Sequence, residues 1–302
     1  MTDDLRCVAH TTALAEDPAA SAGSAETYVL VETPLPWPKP IDAHELLAPV
    51  AEQRPILSPT ARVFAVGAER PTTGGHRLVT YRRDPGHAFG GFVGRESVVA
   101  TGELTDAVIA AIDGELVGTP TAGRDLLICT QGSHDRCCGQ LGTRLHQQML
   151  DERIDGIRVW RTSHTGGHRF APTALSFPDG HAWAHLDARL LGDILATRAD
   201  PTEAARHLRG CLGLPERAAQ MVDRDAFARY GWPWIEATRE WVVDGERVSI
   251  RATVGGRDIA VSAVVTPGRT VPVPVCGEPI EAATKTTVEL VVDDLDNELS
   301  RR

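Results

Sequence analysis

With 302 residues, 42% hydrophobic and 24% charged, the chain can bury a core, which excludes wholesale disorder and leaves room for one large domain or two ordinary ones. Asp and Glu number 41 against 31 Lys and Arg, a formal net charge of −10, so sequence-independent binding to nucleic acid or an anionic membrane is disfavoured. No apolar run approaches the roughly 20 residues that span a bilayer, and MTDDLRCVAH lacks a basic region followed by an apolar stretch, so the sequence reads as cytoplasmic, with no leader and no membrane anchor.

Residues 1–25 are rich in Ala, Ser and Gly and read as a loosely held lead-in. ETYVLVET alternates apolar and polar positions and ends at Pro34, the pattern of a strand. Asp42 can cap a helix through about Gln53, with Leu46, Leu47 and Val50 on one face. ARVFAVGAE, HRLVTYRRD and GFVGRESVVA read as three more strands, and Thr105 or Asp106 starts a helix through about Glu115. These elements form an N-terminal α/β unit over residues 26–120, which the Gly-, Thr- and Pro-rich VGTPTAGRD links to the next.

The second unit, residues 121–231, opens with DLLICT, an apolar run typical of a buried strand. A polar, Cys-rich loop follows. GQLGTRLHQQMLDER is helical, with Leu141, Leu145 and Met149 recurring every four residues. IRVWRTS is a strand, SHTGGH a loop, and TALSF and HAWAHL are strands around the turn Pro178-Asp179-Gly180. Residues 187–198 are helical, with two more short helices before residue 231. The order β-α-β then β-β-α is that of a thioredoxin-like domain. The first unit has nearly the same order, so two readings stand open: two tandem thioredoxin-like units, or one larger α/β sheet. Residues 232–302 alternate repeatedly around Asp244-Gly245 and Gly255-Gly256, which predicts an appended antiparallel sheet of five short runs and an exposed tail, DDLDNELSRR.

Six cysteines are present, and three of them, Cys129, Cys137 and Cys138, fall within ten residues. In a reducing compartment such thiols serve as buried groups, metal ligands or redox groups rather than disulfides. Cys7, Cys211 and Cys276 read as buried structural thiols, and Trp160 and Phe170 as core. His146, His181 and His185 read as surface or strand positions without a partner set. The loops CTQGSHDRCCG at 129–139 and SHTGGH at 163–168 follow strands expected to be parallel neighbours, so both leave the sheet at one end. Cys129, Cys137 or Cys138, His164 and His168 are thereby expected to converge. Two thiolates and two imidazoles suit zinc, and also a 2Fe–2S cluster. Zinc fingers space their cysteines two to four apart; here they are nine apart across a loop, and Gly166-Gly167 keeps the histidine pair out of a helix. A Rieske centre takes one Cys and one His from each loop, whereas this sequence segregates them.

The combination of CTQGSHDRCCG with WRTSHTGGHRFAPT resembles the sucrase/ferredoxin-like family, most strongly over residues 125–190 and more weakly near Cys7, the PWPKP segment at 36–40 and the C-terminal strands. The resemblance implies a thioredoxin-like ferredoxin domain carrying a 2Fe–2S cluster on Cys129, Cys138, His164 and His168, with Cys137 as the alternative to Cys138. The family pattern would place a basic pair at positions 133 and 134, where this chain has Ser133 and His134. Arg136, Arg161 and Arg169 are positioned either to tune cluster charge or to form ordinary ion pairs. No pair of carboxylates has a glycosidase arrangement, so the sequence supports no sucrase activity. The implied function is one-electron transfer, coupled to a proton on the imidazoles, with a redox partner protein such as a reductase for which the acidic surface is suited. A zinc-stabilised binding module and a thiol-disulfide protein are the competing readings.

Overall fold

The computed structural model describes residues 6–84, 91–280 and 283–291. The tail expected to be exposed, from Asp293 onward, lies outside them. A ten-stranded mixed sheet forms the body. Its strands are β1 (Thr27–Glu32), β2 (Ala61–Gly67), β3 (His76–Arg83), β4 (Phe92–Val99), β5 (Thr119–Pro120), β6 (Arg124–Cys129), β7 (Ile157–Thr162), β8 (Ala174–Phe177), β9 (His181–Trp183) and β10 (Leu208–Cys211), in the spatial order β10-β9-β8-β6-β7-β2-β1-β3-β4-β5.

That order contains the same arrangement twice. β1 and β2 are parallel and β3 lies antiparallel on the far side of β1; β6 and β7 are parallel and β8 lies antiparallel on the far side of β6. The two halves join where β2 meets β7 antiparallel, through Val66 opposite Thr162 and Gly67 opposite Arg161. The body is therefore one mixed sheet in which one strand arrangement occurs twice. The buried run TYVLVE of β1 suits a strand with partners on both sides, whereas β4, near the end of the sheet, is only partly buried. Buried Asp125 on β6 accepts hydrogen bonds from Arg158 Nε (2.6 Å) and Trp160 Nε1 (2.9 Å) of β7 and, across the seam, from the Tyr81 hydroxyl of β3. Tyr28, Phe64, Trp160 and Phe177 fill one face of the sheet, and burying each is worth about 1.5–3 kcal/mol.

Eight α-helices complete the described residues: α1 (Cys7–Ala13), α2 (Ala48–Ala51), α3 (Leu104–Ile112), α4 (Thr143–Glu152), α5 (Ala188–Leu195), α6 (Pro201–His207), α7 (Arg217–Tyr230) and α8 (Trp232–Glu236). A second sheet, β11 (Arg239–Asp244), β12 (Arg247–Val254), β13 (Arg257–Pro272) and β14 (Thr284–Val291), is an antiparallel meander in sequence order. α7 separates the sheets: Val222, Ala226 and Phe227 share one core with Ile128 of β6 and with Ile250 and Val261 of the meander. No helix among the described residues is long and apolar enough to cross a membrane.

Several expectations need correction. The lead-in is held: Cys7 is fully buried, and Ser21 donates its amide to the carbonyl of Arg209. The helix expected over 42–53 is broken, because His44 adopts an extended backbone while its Nε2 reaches Pro34 O at 3.2 Å, and Asp42 lies in a 3-10 turn without capping. IAVSAVV and the first three residues of TVPVPV belong to one strand, β13, which ends at Pro272 and carries an irregularity between Pro267 and Thr270. β10 was not foreseen, and α7 is 14 residues long rather than short. His146 and His181 are buried, and His181 Nδ1 faces Asp179 Oδ2 at 3.4 Å.

Candidate metal centre

β6 and β7 are parallel with Cys129 opposite Thr162, so both loops leave the sheet at the same end, as the sequence implied. Cys129 is the last residue of β6. The chain then crosses the loop and re-enters helix through a π-helical turn, Cys138–Gly142. This turn lies hard against the end of β6: a Cβ on Gly142 would come within 1.9 Å of Cys129 O. Only glycine lets the turn approach that closely, and the approach brings Cys138 beside Cys129.

Both thiols are buried, at 1% exposure each. Cys129 Sγ lies 3.9 Å from His164 Nδ1, and the donor atoms of Cys129, Cys138 and His164 all lie within 4.8 Å of one another. His168 stands outside that group, its ring 5.6 Å from the His164 ring between centroids. Its Nδ1 faces Asp135 Oδ2 at 3.4 Å. Both rings are half-buried, so the imidazoles form the outer edge of the site and the sulfurs its floor. Cys137 turns the other way, with Sγ 3.3 Å from Cys276 Sγ.

The floor is electrostatically asymmetric. The contact with Cys138, and then the His164 imidazole, outweigh burial and hold the Cys129 thiol well below its ordinary range. The same contact and burial push the Cys138 thiol up. Burial pushes the Asp135 carboxyl up, but the His168 imidazole and the backbone N–H groups of Cys276 and Cys137 outweigh it, so the carboxyl is held well below its usual range and is ionised.

Residues that the sequence reading left aside position the site. His134 stacks on His164 with centroids 3.6 Å apart and planes 12° apart. Burial, and then the charges of His164, Lys39 and His168, push the His134 imidazole down to about 3, so the stacked ring is neutral at physiological pH. Gln131 Oε1 accepts the His164 amide at 2.8 Å, while its side-chain amide donates to Pro38 O. Ser133 Oγ donates to Trp37 O at 2.7 Å. The 36–40 segment thus buttresses the cysteine loop. Arg209 of β10, 1% exposed, donates to Gly166 O at 3.0 Å and to Ser21 O at 2.7 Å. Burial pushes its guanidinium down to about 10, so it stays charged behind the histidine loop. Gly167 has φ +70°, and a Cβ there would meet Arg209 Cζ at 2.6 Å.

Of the three arginines considered for charge tuning, Arg169 pairs with buried Glu16 at 2.7 Å and Arg161 Nε donates to Thr130 Oγ1 at 3.3 Å. Arg136 lies beside Gly277. Beside His134 and His164 a largely apolar cavity of about 610 Å³ opens, lined also by Lys39, Ile56, Leu57 and Gln131.

Two thiols and two imidazoles therefore gather at one end of the sheet, sulfurs beneath and rings above. The close triad is spaced as for one tetrahedral ion. The donor set suits either species.

Compared with known proteins, residues 18–210 match the family model described as Sucrase/ferredoxin-like. No curated protein and no solved structure matches the chain. The matched span holds Cys129, Cys138, His164 and His168 and covers more than half of the sequence, with Cys7 and Cys276 outside it. The chain belongs to the sucrase/ferredoxin-like family.

Proposed function

We propose that the chain binds a 2Fe–2S cluster through Cys129, Cys138, His164 and His168 and works as a ferredoxin-like one-electron carrier. The observation that carries this reading is the buried Cys129–Cys138 pair beneath the paired rings of His164 and His168. The β-α-β then β-β order of the second unit, with β7-β6-β8-β9 side by side, supports a thioredoxin-like ferredoxin domain. The first unit, β2-β1-β3-β4, supports a second thioredoxin-like unit.

When bound, the cluster supplies a one-electron couple, and two neutral imidazoles in place of thiolates raise its potential above that of an all-Cys ferredoxin. The chain's own residues do the rest. The buried sulfurs are kept from water, and the guanidinium of Arg209 offsets part of their negative charge. His168 turns Nδ1 toward Asp135 Oδ2, so Nε2 would be its ligating atom. His164 turns Nδ1 toward Cys129, and as a ligand through Nδ1 it would carry its proton on Nε2. Protons exchange at these two outer nitrogens as the electron comes and goes. The redox partner, such as a reductase, approaches on the histidine side, where the cavity beside His134 opens. The net acidic surface suits a basic partner.

The compact Cys129–Cys138–His164 triad favours one competing reading, a single zinc ion with no redox role. Iron and acid-labile sulfide, quantified on anaerobically purified protein, separate the two. The cluster reading expects iron and sulfide in equal amounts that vanish together in Cys129→Ser. Zinc in this site with no sulfide contradicts it.

A further inference from the structure

A second thiol group lies beside the first and uses none of its four ligands. Cys7 opens α1, Asp135 and Cys137 belong to the cysteine loop, and Cys276 lies between β13 and β14. These positions are up to 269 residues apart in sequence. Their donor atoms nevertheless all fall within 4.8 Å of one another.

The separations discriminate between explanations. Cys137 Sγ is 3.3 Å from Cys276 Sγ, and Cys276 Sγ is 3.5 Å from Cys7 Sγ. A disulfide bond is about 2.05 Å long, so no pair is bonded, and three thiols cannot all be satisfied by one disulfide. Asp135 Oδ1 lies 3.4 Å from Cys7 Sγ and 3.3 Å from Cys276 Sγ. A tetrahedral zinc with Zn–S of about 2.3 Å and Zn–O of about 2.0–2.2 Å has S···S edges of about 3.8 Å and S···O edges of about 3.5 Å. The four edges given are each within about 0.5 Å of those values, and all the donor atoms lie within 4.8 Å of one another.

The surroundings suit thiolates. The Cys7 amide donates to Cys276 Sγ at 3.4 Å. The Cys137 and Cys276 amides donate to Asp135 Oδ1 (2.8 Å) and Oδ2 (3.1 Å), which fixes the carboxylate against the three sulfurs. Cys7, Asp135 and Cys137 are each no more than 3% exposed, and Cys276 is partly exposed. Soft thiolates select zinc over hard cations such as Mg²⁺ or Ca²⁺.

We propose that Cys7, Cys137, Cys276 and Asp135 form a structural zinc site, which clips the N-terminal segment and the β13–β14 connection onto the cysteine loop. The neighbour of Cys137 is Cys138, and Asp135 also faces His168, so the clip sets the position of two ligands of the proposed cluster. The zinc site itself does not depend on the cluster reading.

The test measures zinc and iron together in the full chain, purified without chelator. About one zinc per chain is expected in the wild type and in Cys129→Ser, with zinc falling to background in Cys276→Ser and Cys7→Ser. Alkylation of the wild type, mapped by mass spectrometry, needs no variant to fold: Cys7, Cys137 and Cys276 are protected together and become reactive together when zinc is chelated. Absence of zinc, zinc that remains in Cys276→Ser, alkylation of Cys276 at one rate with and without chelator, or a Cys137–Cys276 disulfide each overturns the proposal. Iron-free protein whose zinc depends on Cys276 would sink the cluster reading and leave this one standing.

Discussion

His134 and His164 lie face to face, ring centroids 3.6 Å apart, one on each of the two loops that build the candidate metal centre. The stack fixes the plane of His164, and His134 is neutral in it. His134→Ala should therefore loosen the centre. A ring contact of this kind is worth about 1 kcal/mol, or roughly fivefold in an equilibrium. The half-life of the visible iron–sulfur absorption under chelator challenge reads the effect. His134→Phe, which keeps a ring, should restore most of it, and equal half-lives for the Ala and Phe variants would exclude stacking as the cause.

Gly167 is expected to be the least replaceable residue of the histidine loop. Its φ of +70° alone costs a side chain about 1 kcal/mol or more. The clash with the buried Arg209 guanidinium adds to that. Gly256 has a similar φ of +78° with no atom near its Cβ position, which makes it a matched control. Gly167→Ala should lower Tm more than Gly256→Ala and should also reduce bound iron. Equal losses of Tm, with iron retained, would mean that Arg209 yields freely.

Acid should weaken the fold through His146. Its Nε2 is buried without a hydrogen-bond partner among the described residues, and burial, then the charge of Arg161, push the imidazole down to about 4. The folded value lies below the unfolded one of about 6.5, so the unfolded chain takes up the proton first. The stability at stake is full above about pH 6.5 and is lost as pH falls toward about 4, to an extent on the order of 2 kcal/mol. Denaturant midpoints at about pH 7.5 and about pH 4.5 should differ less in His146→Leu than in the wild type. Identical differences would assign the acid sensitivity elsewhere.

The proton on each imidazole makes a second expectation for the proposed cluster. Between about pH 6 and 10 the reduction potential should fall with pH, approaching about −59 mV per unit where one proton accompanies one electron. Replacing His164 or His168 by Cys should lower the potential and flatten the slope. A flat wild-type line would rule out proton coupling.

Much of the centre was legible because it is local in sequence. Cys129 ends an apolar run, Gly166-Gly167 marks a loop, and parallel β6 and β7 bring both loops to one end of the sheet. The choice between Cys137 and Cys138 was not legible, because adjacent residues at the start of a helix point in different directions. That direction is set by the contact of Gly142 with Cys129 O. Cys7, Cys276 and Arg209 escaped for a different reason. Their partners lie 128 to 269, 139 to 269 and 43 to 188 residues away respectively, so no periodicity or motif spacing encodes the contact. The helix expected from Asp42 failed because an extended His44, linked to Pro34, overrides the local propensity.

The ligand set itself is the central claim, and pulsed EPR of the reduced protein, grown with ¹⁵N-histidine, addresses it most directly. Hyperfine couplings from two distinct histidine nitrogens are expected, one of which disappears in His164→Cys. A reduced cluster that couples to no histidine nitrogen, or a protein that gives no such signal after reduction because it holds no iron, would contradict the account.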